Sequence, residues 1–213
     1  TQMECYLLRN KLKHYMEVDP HANRDGKYLI RSVYFDNFEN KVLNQKKEGY
    51  YERDKFRVRL YDFNISYLNL EKKSKRNNLT FKQKCRITAE EYEQIRFGDI
   101  GWMEHDSRPL IQELYHQMNL FQLKPVTVVD YEREVFIYKH GNVRITFDSS
   151  IRTSFRNNDV LNPDLAMIDT NPDIVVLEVK FDEYLPSMIK HLLQVSNLRA
   201  GAYSKYQICR MYG

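Results

Sequence analysis

The sequence predicts an α+β fold built on a large antiparallel sheet or barrel, with helices inserted between strands. Three observations carry this. Short segments rich in β-branched and aromatic residues, alternating with period two, recur along most of the chain. His140-Gly141-Asn142 joins two of them as a hairpin turn. The helical segments do not alternate regularly with strands, so the order is not that of repeated βαβ units.

The elements follow in order. Residues 4–17 read as an amphipathic helix, with Leu7, Leu8, Leu12, Tyr15 and Met16 at helical spacing, stopped by Asp19-Pro20. Strands are expected at Tyr28–Asp36, Lys55–Tyr61, Tyr67–Lys73 and Thr80–Ile87, with a helix over residues 38–47 between the first two. Thr88 can cap the next helix, and Glu91 completes a capping box. Pro109 opens a helix through Leu110–Met118. Strands Val126–Tyr138, Val143–Asp148 and Ile151–Phe155 come next. A loop with Pro163 and Pro172 leads to a strand at Ile174–Phe181. Pro186 then starts a helix to about Leu198, and Ser204–Met211 forms a last short one.

With 213 residues, 42% hydrophobic and 13% aromatic, the chain can bury a sizeable core. Neither an internal repeat nor a Ser/Gly/Pro linker divides it, so a single domain over 1–213 is expected. No apolar run reaches the roughly 18 residues of a membrane helix. The start, Thr1-Gln-Met-Glu-Cys5, is not a signal peptide. Cys5, Cys85 and Cys209 are odd in number and far apart, which argues against a disulfide framework and points to a reducing, cytoplasmic setting. The net charge is +4, but it is unevenly spread. From Lys27 to Arg86 there are 16 Lys/Arg and 7 Asp/Glu, a net +9, and the remainder carries −5. A local excess of that sign points to an anionic partner.

The alternation places the charges. Lys55, Arg57 and Arg59 share one strand face, with Phe56, Val58 and Leu60 on the other. Glu71 and Lys73 point together, opposite Leu68 and Leu70. Lys82, Lys84 and Arg86 line up opposite Phe81, Cys85 and Ile87. Arg144, Thr146 and Asp148 share a face, and Glu178 and Lys180 lie opposite Leu177, Val179 and Phe181. Any one such strand reads as the solvated face of a sheet. The set differs, because an ordinary surface intersperses both signs. Here the polar face is dominated by cations, with Glu71, Asp148 and Glu178 among them. Closed with this face inward, the sheet would be a tunnel suited to a phosphate polyanion. Its few acids would suit Mg²⁺ or Mn²⁺, which prefer oxygen ligands and phosphate co-ligands.

The P-loop, dinucleotide and nucleophile-elbow motifs are absent, as is HExxH. The six histidines are scattered, and Cys85 falls on an apolar side, as a core residue would.

Ile30-Arg-Ser-Val-Tyr-Phe-Asp36, Phe56-Arg-Val-Arg-Leu-Tyr61, Leu70-Glu-Lys-Lys73, Lys84, Tyr131-Glu-Arg133, Arg144-Ile-Thr-Phe-Asp148, Leu177-Glu-Val-Lys180 and Ser204-Lys-Tyr206 occur in this order. Together they resemble the VTC domain, the polyphosphate polymerase domain of the vacuolar transporter chaperone complex and its bacterial relatives, within the triphosphate tunnel metalloenzymes (CYTH-like). The resemblance spans about residues 6 to 210. It implies an eight-stranded antiparallel β-tunnel with flanking helices. The activity it implies is metal-dependent transfer of the ATP γ-phosphate to a growing polyphosphate chain. By position it implies phosphate-binding and catalytic roles for Arg57, Arg59, Lys73, Lys84, Arg133, Arg144 and Lys180, and a substrate contact at Lys205. Glu178 matches the metal-binding glutamate, for Mn²⁺ or Mg²⁺. Lys82 and Glu71 join the substrate-binding set through the shared strand face.

Two departures stand out. The family's first strand precedes its first helix, whereas this chain begins at Thr1, almost inside that helix, so an open sheet edge is expected. The eukaryotic enzymes place another Lys three residues before the position of Lys205, and here that residue is Ala202. The expected partners are ATP and polyphosphate, with no nucleic acid. Two other readings stay open: a triphosphate hydrolase in the same tunnel, and a non-catalytic module binding polyphosphate or RNA.

Overall fold

Alternation along the strands becomes one antiparallel sheet flanked by helices. The computed structural model describes residues 2–77, 79–194 and 201–212. In chain order the elements are α1 (Gln2–Lys13), β1 (Glu17–Val18), β2 (Lys27–Asp36), α2 (Lys41–Lys47), β3 (Arg53–Tyr61), β4 (Leu68–Arg76), β5 (Leu79–Ile87), α3 (Ala89–Phe97), α4 (Pro109–Phe121), β6 (Lys124–Tyr138), β7 (Val143–Ser154), β8 (Met167–Asp169), β9 (Val176–Lys180), α5 (Ser187–Leu192) and α6 (Lys205–Arg210). The strand order is β5-β4-β3-β2-β6-β7-β8, with β1 paired to β6 and β9 to β7. Among the described residues no pairing joins β5 to β8 or β9.

The chain divides into two compact units. The first comprises Thr1–Leu29, Tyr131–Ile151 and Asn171–Ser204. Here Glu17 and Val18 pair with Ile137 and Phe136. Arg144 through Asp148 pair with Lys180 through Val176. Helix α1 turns Leu8 and Leu12 into a core with Phe136, Val143, Ile145, Phe147 and Ile189. Phe136 and Phe147 meet edge to face, their centroids 5.9 Å apart. Each such buried side chain contributes roughly 1.5–3 kcal/mol relative to exposure.

The second unit comprises Ile30–Asp130, Arg152–Thr170 and Lys205–Gly213. Within it β2, β3, β4 and β5 form an antiparallel meander. Helix α4 buries Leu110, Ile111, Leu114 and Met118, one stripe at helical spacing. The capping box of α3 forms as the sequence predicts: Glu91 N–H donates to Thr88 Oγ1 at 3.1 Å, and Thr88 N–H to Glu91 Oε2 at 2.8 Å.

Several boundaries differ. The first helix ends at Lys13, and Glu17–Val18 leave it to pair with β6. The helix expected at 38–47 begins at Lys41, because Asn40 takes a left-handed conformation (φ 56°). The two strands expected at 143–148 and 151–155 are one, with Ser150 at φ 52° inside it, so a single left-handed residue bends the strand without ending it. Helix α5 ends at Leu192, and residues 195–198 of the helix expected there lie outside the described residues. The hairpin turn is present: Gly141 sits at φ 75°, and a Cβ there would come within 2.7 Å of the Tyr184 carbonyl oxygen.

Candidate functional site

The register of β2–β5 converts the alternating charges into rows across the sheet. Tyr34 lies opposite Arg57, Arg57 opposite Glu71, and Glu71 opposite Lys84. One step toward the end of β3, Ser32, Arg59, Asn69 and Arg86 form the next row. One step the other way lie Lys55, Lys73 and Lys82. Adjacent rows are about 7 Å apart, two strand residues. The opposite faces of β3 and β4 carry buried Phe56, Val58, Leu60, Leu68 and Leu70, so packing orients the cationic side.

The cations are not uniformly loose. Arg57 Nε donates to Glu71 Oε2 at 2.7 Å, and its Nη1 to the Tyr34 hydroxyl at 3.2 Å. Arg59 is buried and its Nε donates to Ser32 Oγ at 3.0 Å. Burial pushes the Glu71 carboxyl up, but Arg57 and Arg59 outweigh it and hold the group below the usual carboxylate range. Lys73, Lys82 and Lys84 project from exposed positions, and Lys205 opens α6 in a half-buried one. These seven predicted residues, Arg57, Arg59, Glu71, Lys73, Lys82, Lys84 and Lys205, all belong to the second unit.

Arg133, Arg144, Glu178 and Lys180 belong to the first. Arg133 holds buried Asp148 through two hydrogen bonds of 2.7 and 2.8 Å. Arg144 Nη2 donates to Asp19 and to the Tyr28 hydroxyl, both at 3.1 Å. Burial raises the Asp19 carboxyl, but hydrogen bonds from His21 and the Arg144 charge bring it net below its ordinary value. Glu178 and Lys180 form an exposed ion pair of 3.1 Å. Thr146 stands opposite Glu178 in register. Its hydroxyl is buried and has no hydrogen-bond partner among the described residues.

The family model of the VTC domain matches residues 1–212. The chain belongs to the VTC domain family. Solved structures agree on the fold. A candidate adenylate cyclase from Bacillus halodurans superposes with a TM-score of 0.58 at 12% identity, covering 100% of this chain and 93% of its own. A candidate adenylyl cyclase from Hippeastrum, described as having a dominant triphosphatase activity, gives 0.50 at 12% identity, covering 91% and 80%. This VTC domain therefore shares the fold of these two proteins, an antiparallel sheet with flanking helices. No curated protein sequence matches it.

Among the described residues of the VTC domain, no three His, Cys, Asp or Glu side chains group into a metal cage. Asp148 and Asp19 are taken by arginines. Glu178, exposed and ion-paired with Lys180, stands across from the Thr146 hydroxyl, which has no hydrogen-bond partner among the described residues. Such a sparse oxygen set fits Mg²⁺ or Mn²⁺, which bind through one or two carboxylates and fill the remaining positions with phosphate oxygens and water.

Sequence reasoning missed an aromatic support. Tyr34 and Tyr206 pack with centroids 5.1 Å apart, and the Lys55 ammonium lies 4.3 and 4.5 Å from their centres. Lys55 sits on the cationic face, so its alternation was the available signal. The Tyr34–Tyr206 contact bridges residues 172 apart and leaves no local pattern. Likewise Lys72 is buried on the apolar side of β4, paired with Asp54 and Glu113 from other elements.

Proposed function

We propose that this VTC domain is a metal-dependent polyphosphate polymerase, transferring the γ-phosphate of ATP to a growing polyphosphate chain. The observation that carries the reading is the three-row array on β3–β5, in which arginine and lysine outnumber one carboxylate. In this reading residues 1–213 form one polymerase domain.

The transfer needs no protein nucleophile. An oxygen of the acceptor's terminal phosphate attacks the γ-phosphorus, the bond to the β–γ bridging oxygen breaks, and ADP leaves with that electron pair. Such a reaction is catalysed by positioning and by fixed charge aimed at the phosphoryl oxygens. Burial pushes the Cys85 thiol up to about 11 and the Cys209 thiol up to about 12, so neither is a thiolate at neutral pH. Arg57 and Arg59 supply guanidinium forks for bidentate phosphate contact, and Lys73, Lys82, Lys84 and Lys205 supply point charges. Glu71 and Tyr34 orient Arg57. Arg133, Arg144 and Lys180 contribute further cationic contacts to phosphate. Glu178 would hold Mn²⁺ or Mg²⁺, with Thr146 beside it, and the bound ion supplies additional neutralisation of phosphate charge. Losing one preorganised cation should raise the barrier by about 2–4 kcal/mol.

A triphosphate hydrolase is the second reading, favoured by the activity named for the Hippeastrum neighbour. Water would replace the acceptor phosphate on the same residues. Incubation with ATP and Mn²⁺, with and without a short polyphosphate primer, separates the two. Products longer than the primer support the polymerase, and orthophosphate alone supports the hydrolase. Polyphosphate binding without ATP turnover would reject both.

A further inference from the structure

The Lys55–Lys73–Lys82 row differs from its neighbours in kind. The other two rows contain arginines, whose planar forks fix a phosphate in one orientation. This row contains only ammonium groups on flexible stems, which attract phosphate as point charges without fixing its orientation. From the Arg59 position to the Lys55 position β3 advances about 13 Å, farther than the phosphorus atoms of a single triphosphate reach.

Lys55 is also held where it stands. Its ammonium lies over both Tyr34 and Tyr206. The Tyr206 hydroxyl donates to Asp36, which also accepts from the backbone N–H groups of Val42 and Leu43 at the start of α2. Tyr34 accepts from Arg57. Two aromatic rings, each tied at its hydroxyl, thus keep a half-buried cation on the phosphate-facing side.

Resting on the phosphate-binding reading of this face, we propose that Lys55, clamped by Tyr34 and Tyr206, forms with Lys73 and Lys82 a subsite for the polyphosphate chain beyond the triphosphate. Orientation-free contacts let successive phosphates occupy the same lysines as the chain advances. Tyr34 and Tyr206 are positioning residues. Burial lowers Lys55 to about 8, with Arg57, Lys73 and Lys46 adding to the shift and Tyr34 opposing it. A polyanion in the row favours the charged ammonium, so binding near pH 8 takes up protons.

The test is calorimetric titration of the full chain with inorganic triphosphate and with long-chain polyphosphate, in two buffers of different ionisation enthalpy. Lys55→Met keeps an unbranched side chain and removes the charge. It should weaken polyphosphate binding about tenfold, the loss of one charge-assisted contact, and change triphosphate binding by less than about twofold. Proton uptake on polyphosphate binding should fall, and Lys55→Arg should restore affinity. Equal loss for both anions, or wild-type polyphosphate affinity and uptake in Lys55→Met, overturns the subsite. If Lys55→Met does not fold, Tyr206→Phe gives the second readout: it frees one anchor of the clamp and should selectively weaken polyphosphate, and an unselective effect overturns the proposal. Failure of the underlying reading looks different, because Arg57→Met would then leave the affinity for both anions unchanged.

Discussion

Arg57 and Glu71 face each other across β3 and β4, and the guanidinium donates to the carboxylate at 2.7 Å. The pair is about three-quarters shielded from solvent, with side-chain exposures of 28% and 21%. It sits between fully exposed pairs, worth at most about 1 kcal/mol, and buried ones, whose breakage costs about 3–5 kcal/mol. Glu71→Gln should therefore lower stability by about 1–2 kcal/mol at neutral pH. Because the folded-state carboxyl lies below its ordinary value of 4.5, this contribution is complete well above that pH and fades as pH falls through the folded value. Denaturant midpoints of wild type and Glu71→Gln should converge in acid. A gap persisting unchanged to pH 2 would contradict the ion-pair account. The same variant adds one net positive charge to the array, so polyphosphate binding should steepen in its salt dependence.

Glu178 makes a cleaner separation between chemistry and folding. Its side chain is 45% exposed and ion-paired with Lys180, itself 48% exposed. Glu178→Gln should leave the unfolding transition within about 0.5 kcal/mol of wild type, as surface substitutions usually do. Metal-stimulated turnover of ATP should disappear. Retained Mn²⁺ stimulation would remove Glu178 from the metal site and leave Thr146 without its proposed role.

Much of this arrangement was legible in the residues themselves. Lys55, Arg57 and Arg59 alternate with Phe56, Val58 and Leu60, and period two alone assigns them to one face. Register is not so local. Nothing in the sequence near Glu71 says that Arg57 rather than Arg59 lies opposite, because that depends on how the segment between β3 and β4 turns. Nor could alternation anticipate buried Lys72, whose charge is tolerable only beside Asp54 and Glu113. The merging of two expected strands into β7 has the same origin: Ser150 looks like a turn residue, but pairing on either side carries the strand through it.

Tyr206 ties α6 to the start of α2 through Asp36, a fully buried carboxylate. Tyr206→Phe removes one of four donors; the Asn37, Val42 and Leu43 amides remain. It should cost about 1–2 kcal/mol. For a chain of this size that corresponds to a fall in Tm of about 2–8 °C. Asp36→Asn should cost more, because an amide nitrogen would then face backbone N–H donors. If the two variants are equally mild by thermal unfolding, Asp36 does not organise this junction.

Tyr34 and Lys55 make the last prediction, and the sign follows from both groups together. Burial opposes ionisation of the Tyr34 hydroxyl, but Arg57, Lys55 and Arg59 outweigh it and bring the group from 10.0 down to about 7. Lys55 falls from 10.5 to about 8, chiefly through burial. In each case the unfolded chain binds a proton that the folded chain has already released, across a window from about pH 7 to 10.5. Stability must then rise with pH through that window as far as these two groups are concerned. Wild type should gain stability relative to Tyr34→Phe and Lys55→Met between pH 7 and 10, read from denaturant midpoints at fixed ionic strength. A near-ultraviolet titration should show one tyrosinate forming with a midpoint about 7, absent in Tyr34→Phe. If every tyrosine ionises near 10 and the three proteins keep a constant stability difference, the cations around Tyr34 do not exert the field that the geometry assigns to them.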